Sequence, residues 1–172
     1  MIDYYWPDKK ELTQRAARLG TWCYQVSAAS YPNGAPWSEG TFRANLTAPH
    51  QYYLFAVVAG QLVGFISYTA IFDEVEITNV VVAPQYQRQH VAWQLWQILL
   101  QAQTQPVYFY LEVRASNLPA QKLYKKLGFT VINRRRTYYT APVEDALIMA
   151  LEWKESNNDG EQVAATRVNF SF

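Results

Sequence analysis

The segment EVEITNVVVAP, the helix-patterned stretch from about His90 to Gln103 and the run VYFYLEV constrain the fold more than any other part of the chain. Two apolar, β-branched runs separated by a helix share one sheet only through a crossover. A strand–helix–strand crossover pairs the flanking strands in parallel. Two further apolar runs, QYYLFAVVAG and QLVGFISYTAIF, meet at Ala59–Gly60–Gln61 as a hairpin. After VYFYLEV come a helix from Asn117 to Leu127 and the strands GFTVINRRR and EDALIMALEW. The expected class is α/β (α+β), with a mixed central β-sheet flanked by helices and a site near the carboxyl ends of the crossover strands.

Upstream, DYYW reads as a short opening strand, and Asp8 caps one helix running to about Ser30, where YPNGAPW breaks it. Ser38 caps a second, shorter helix, and Pro84 ends the third strand. Half of the 172 residues are hydrophobic and 16% aromatic, enough for one sizeable core, with no repeat and no internal linker. The expectation is one domain over residues 1–153 and a tail over 154–172. Polar KESNNDGEQ would be its flexible linker, and RVNFSF, with Val168, Phe170 and Phe172 on one face, a possible docking strand.

Several function classes are disfavoured. Fifteen basic residues against 14 acidic give a net charge of +1, which generates no field for direct nucleic-acid or anionic-membrane binding. MIDYYWPDKK lacks a signal pattern, and no apolar run reaches the roughly 18 residues of a membrane span. The one cysteine, Cys23, excludes an intramolecular disulfide framework and fits a reducing compartment, so a cytoplasmic protein is expected. His50 and His90 are scattered and offer no metal-ligand set.

The stretch LEVRASNLPAQKLYKKLGF carries the chemistry. Glu112 lies near a strand end, Asn117 at the next helix start and Tyr124 seven residues on. Positions 117, 121 and 124 share one helical face, beside the apolar face of Ala120, Leu123 and Leu127. Tyr124 is thus expected on a packed edge, its hydroxyl aimed toward the end of the Glu112 strand. A carboxylate and a phenol converging there serve as general base and general acid. On spacing alone, an exposed glutamate and a boundary tyrosine are the blander reading.

NVVVAPQYQRQHVA, LEVRASN and LYKKLGF, in that order, resemble the GNAT superfamily of acetyl-coenzyme A-dependent N-acetyltransferases. With PWSEGTF, RRTYY and EDALIMAL they are similar to its ribosomal-protein-alanine N-acetyltransferases, over roughly Ser38 to Leu151. The resemblance implies a single GNAT-type domain, acetyl-coenzyme A as co-substrate, no metal, and transfer to an amine, foremost the N-terminal α-amine of a ribosomal protein. It implies Glu112 as proton acceptor and Tyr124 as proton donor. Val80, Val81 and Val82 would offer their backbone to the pantetheine arm, with an N–H near Val82 for the oxyanion. Arg88, Gln89, His90, Val91, Ala92 and Trp93 would form the pyrophosphate loop, and Asn117 would touch the coenzyme. A small-molecule amine as acceptor, or an acyl-coenzyme A-binding sensor that transfers nothing, keeps the same fold; monomer and homodimer are both compatible.

Several features depart from the resemblance or leave alternatives open. His90 stands where the superfamily pattern has glycine, so a working anion site is expected, with a weakened or lost one as alternatives. With helical dihedrals at His90 the loss is steric only. YPNGAPW looks long and TAPV short beside their counterparts, and both border the acceptor groove. Arg134, Arg135 and Arg136 read as a solvated edge, with a substrate or phosphate contact as the alternative. Tyr138 and Tyr139 read equally as peptide-site residues or strand aromatics. Along the helix after the loop, Val91, Leu95, Ile98, Leu99 and Ala102 form a core stripe. Trp93, Trp96 and Leu100 form a second patch, expected to be covered by the tail docking on its own domain or on a second copy, with a frayed tail and partly exposed tryptophans as the alternative.

Overall fold

In the computed structural model, which describes residues 1–154, the crossover is parallel. Strand β4 (Glu74–Val82) pairs with β5 (Val107–Arg114) from Glu74↔Tyr108 to Ile77↔Leu111, and helix α4 (Val91–Gln101) connects them. All other pairings are antiparallel. To one side of β4 lie β3 (Gln61–Ile71), β2 (Gln51–Val58) and β1 (Asp3–Tyr5); beyond β5 lie β7 (Val143–Trp153) and then, at the edge, β6 (Thr130–Thr140).

Alternation along the inner strands sends side chains into two cores. From β2, Tyr53 and Phe55 meet Leu12 of α1 (Lys9–Gln14), Leu19 and Cys23 of α2 (Ala16–Ser30), and Phe42 and Leu46 of α3 (Glu39–Thr47). Leu54 and Ala56 face the opposite way, toward α4 and toward Tyr124 and Leu127 at α5 (Leu118–Lys126). A strand buried on both faces reads as a continuous apolar run, which is why β2 and β3 were conspicuous in the sequence. At Gly64 the two middle strands come so close that a Cβ would lie 2.8 Å from the Val81 carbonyl oxygen, so glycine is required there.

Two expectations are corrected. The single helix after Asp8 is two, broken at Arg15, where φ −109° and ψ 11° leave the helical region. The sequence has no proline or glycine at the break. The break accompanies packing of α1 against α3, where Lys9 Nζ reaches the Ala48 carbonyl at 2.5 Å.

The second patch of α4 is not exposed: Trp96 is fully buried and Leu100 nearly so, while Ile98 is half-buried and Ala102 exposed. The Trp96 ring packs edge-on against Phe109, Tyr124 and Phe129. A helix covered on two sides presents two apolar stripes, and the cover here is α5 with Phe129, just before β6. Trp93 is half-buried, with Lys126 Nζ 4.6 Å above its ring. The tail strand expected to cover this patch lies outside the described residues.

Candidate active site

The site begins where the central ladder parts. Pairing of β4 with β5 stops at Ile77 and Leu111, yet β4 continues to Val82 against β3 alone, and β5 to Arg114 against β7 alone. The cause lies one residue beyond Ile77. Registers Tyr68↔Ile77 and Ser67↔Asn79 leave Thr78 as the extra residue of a β-bulge. Its hydroxyl donates to the Ser67 carbonyl at 3.0 Å and meets the Ser67 hydroxyl at 2.8 Å, while buried Asn79 donates to that hydroxyl at 3.1 Å. A bulge bends its strand, and this one turns β4 away from β5.

Beyond the bulge, Ala83 N–H donates to the Val63 carbonyl, so backbone groups at 81 and 83 face β3 and those at 80 and 82 face the gap. Three side chains already meet the gap-facing carbonyls. Tyr31, just past α2, donates to the Val80 carbonyl at 3.3 Å; Ser30 and Gln87 each donate to that of Val82 at 3.0 Å. The N–H groups of Val80 and Val82 point the same way.

The strand then runs through the short 3-10 turn Pro84–Tyr86 into a loop whose backbone is its main feature. Arg88 and His90 both have φ of 62°, and His90 is the N-cap of α4 in the left-handed conformation. This corrects the helical alternative for His90: its position demands the backbone that glycine adopts freely and that costs another residue about 1–2 kcal/mol. Left-handed residues beside ordinary ones turn successive N–H groups into one concavity, which the unpaired N–H groups of the first α4 turn extend. Val91 is buried and Ala92 and Trp93 pack on the core, so their N–H groups are what this turn offers. The arrangement suits a pyrophosphate at a helix N-terminus.

On the other lip, Leu111 and Val113 pack toward α5, so Glu112 between them projects from the opposite face of β5. Its Oε1 lies 2.5 Å from Arg135 Nη1. The Tyr138 phenol, raised from its ordinary value first by its hydrogen bond to Glu112, joins them. A bulge in β6 between Arg135 and Tyr139, with Thr137 at φ 50° and its N–H held by Asp145 at 2.8 Å, returns both side chains to Glu112.

Tyr124 approaches from the α5 side. It is buried rather than on an edge, its ring wedged against Trp96 and Phe129. Burial pushes its phenol well above the ordinary range, and the nearby phenols of Tyr31 and Tyr139 add to this. Asn117 caps α5, its Oδ1 accepting from Ala120 N–H at 3.2 Å.

Arg114 fastens the β6–β7 turn to this lip. It donates to the carbonyls of Ala141 and Pro142 and to Glu144, and its guanidinium stacks 3.9 Å over Tyr139. Glu144 in turn accepts the Ser116 N–H, and hydrogen bonds from Ser116 hold its carboxyl below the usual range.

Glu112, Tyr124, Val80, Val82 and the loop from Arg88 to Trp93 therefore border one gap. Val81 faces the α2 core instead. The edge reading of the arginine run holds for β6 as a strand and for Arg134, paired with Asp145 at 2.7 Å, whereas Arg135 belongs to the site. Tyr31, Ser30 and the bulge residues Ser67, Thr78 and Asn79 were missed. The polar pair Thr78–Asn79 inside an otherwise apolar strand was the available signal.

Residues 15–129 match the model of the acetyltransferase (GNAT) family. The chain is 39% identical over 121 residues to the ribosomal protein bS18-alanine N-acetyltransferase of Escherichia coli (strain K12), covering 67% of this chain and 80% of that protein. It is 32% identical over 131 residues to the N-alpha-acetyltransferase RimI of Mycobacterium tuberculosis (strain ATCC 25618 / H37Rv), covering 74% and 82%. The crystal structure of the ribosomal-protein-S18-alanine N-acetyltransferase from Escherichia coli superposes with a TM-score of 0.73 at 30% identity, covering 94% of this chain and all of that one. The chain belongs to the acetyltransferase (GNAT) family. It is an acetyl-coenzyme A-dependent acetyltransferase.

Proposed function

We propose that this protein acetylates the N-terminal α-amine of a ribosomal protein, with alanine as the first residue, in the cytoplasm. The observation that carries the mechanism is the parting of β4 from β5 beside a carboxylate of β5 and a proton-retaining phenol of α5. The Escherichia coli relative, named for this reaction, and the Mycobacterium tuberculosis relative, named for N-alpha-acetylation, support the choice of acceptor. Chemistry supports it too, because an α-amine titrates near 7.7–8.0 and a lysine near 10.4, so the α-amine asks less of its base.

In this reading Glu112 takes the proton from the acceptor nitrogen as it bonds to the thioester carbonyl. The carbonyl oxygen gathers charge beside the N–H of Val82 or its neighbour. As the carbon–sulfur bond breaks, Tyr124 gives its proton to the departing thiolate. Burial keeps that proton in place until a thiolate forms in the same poorly solvated gap, where both anions are disfavoured alike. The Val80 and Val82 backbone receives the pantetheine arm, the N–H groups from Arg88 to Trp93 the pyrophosphate, and the Asn117 amide the coenzyme.

The test is to incubate the full chain with acetyl-coenzyme A, an alanine-initiated peptide containing an internal lysine, and a panel of small amines. Mass spectrometry is expected to locate the acetyl group on the peptide's α-nitrogen. Acetyl found only on lysine or only on small amines overturns the acceptor assignment.

A further inference from the structure

Glu112 carries an ion pair that acetyl transfer does not require. Arg135 stands on the edge strand, and β7 lies between it and β5. It crosses because Ala146, in register with both Arg135 and Arg114, is the smallest chiral side chain and is wholly buried. The guanidinium thus reaches Glu112 Oε1, and the Tyr138 ring lies 5.5 Å beneath it. Arg114, the other cation on this face, is committed to Glu144 and the turn carbonyls.

A guanidinium on that carboxylate does what an incoming α-ammonium does: it presents charged N–H donors to the same oxygens. A guanidinium already seated on Glu112 Oε1 fills part of the space an ammonium would approach and repels it as a like charge. Arg135 is also easily displaced, since its side chain is 54% exposed and an exposed ion pair contributes little net stability. The residue type fits a stand-in. Arginine does not lose its proton in proteins, so the base beside it cannot turn it into a nucleophile, whereas a lysine there would offer an amine to the thioester.

We infer that Arg135 is a built-in competitor for the acceptor: it occupies Glu112 at rest, is displaced by the acceptor's α-ammonium, and thereby sets the acceptor's apparent affinity. The inference rests on Glu112 being the proton acceptor. Only the fraction of molecules with Arg135 swung away is open to the acceptor, so apparent affinity falls by that fraction. The coenzyme, held on the other lip by backbone, is indifferent to it.

The experiment is steady-state kinetics of the full chain with an alanine-initiated hexapeptide and acetyl-coenzyme A. Arg135→Gln is expected to lower the peptide KM about two- to fivefold, the worth of an exposed ion pair. The KM for acetyl-coenzyme A does not move. Calorimetric peptide binding in the presence of coenzyme A closes a double-mutant cycle: in a Glu112→Gln background, Arg135→Gln changes nothing. A peptide KM that rises or stays put in Arg135→Gln overturns the competitor and makes Arg135 a peptide contact or a bystander. Parent-like turnover in Glu112→Gln sinks the base assignment itself, a separate failure.

Discussion

The two lips of the gap are built by different means. On the β4 side, the groups that face the gap are backbone: carbonyls and N–H groups at 80 and 82 and the N–H concavity from Arg88 to Trp93. On the β5–β7–β6 side they are side chains in charged pairs, Glu112 with Arg135 and Arg114 with Glu144, while Arg134 with Asp145 ties the edge strand behind them. A backbone site depends on dihedrals more than on side chains, and at position 90 histidine adopts the left-handed dihedrals that glycine takes freely. A side-chain site depends on each residue and on its partner. Substitutions on the first lip should therefore act mainly on stability and on coenzyme affinity, and substitutions on the second on turnover and acceptor affinity.

The strongest way to break this contrast is at the reacting groups. Glu112→Gln and Tyr124→Phe are each expected to lower kcat by about 100- to 10,000-fold, the usual effect of removing a general base or acid. Acetyl-coenzyme A affinity, measured by calorimetry, should stay near the parent value in both. Near-normal turnover in both variants would show that the side-chain lip does not perform the chemistry.

Next in size is Arg114→Gln, which frees the Ala141–Pro142 turn and leaves Tyr139 without its stacked cation. Loss of a clamp that positions a binding wall is expected to reduce kcat/KM for the peptide on the order of ten- to a hundredfold. The KM for acetyl-coenzyme A reads the other lip and should not follow; if it rises equally, the lips are not separable.

On the backbone lip, His90→Gly is expected to stabilise the protein by up to about 1 kcal/mol, relief of the left-handed strain being partly offset by the entropy of glycine. Coenzyme binding should be at least as tight as in the parent. Urea unfolding and calorimetry check the two halves, and a marked loss of affinity would mean that the imidazole has become a contact in its own right.

The smallest effect concerns acid. Glu144 is held below its ordinary value by Ser116, and Asp145 by the Thr137 N–H and then by Arg134. A lowered native value means that the folded chain binds fewer protons than the unfolded one. The stability these carboxyls contribute is therefore present above roughly pH 4, the unfolded carboxylate range, and is lost as the pH falls through their lower native values. Combining Glu144→Gln with Asp145→Asn should flatten the fall in urea-unfolding midpoint between neutral and acidic buffer. An unchanged acid slope would remove these pairs from the account of the side-chain lip.

What the sequence determined by itself were the features written in local periodicity and in motif spacing. The crossover, the hairpin at Gly60, the caps at Asp8 and Ser38, and the order that sets Glu112, Asn117 and Tyr124 around one turn were all legible. Each depends on residues a few positions apart, where side-chain period and cap chemistry act directly. The resemblance added roles to positions that spacing left ambiguous.

Tertiary structure alone decided which apolar stripe of α4 is covered, because burial of Trp96 depends on Phe109, Tyr124 and Phe129 arriving from other elements. It also decided the left-handed backbone at His90 and the parting of β4 from β5 at Thr78. The Arg135–Glu112 pair is the plainest case: 23 positions separate the two residues, and a third strand with a buried alanine lies between them. No local pattern encodes such a pair, since it exists only once the register of three strands has been set by hydrogen bonds and by the burial of their other face.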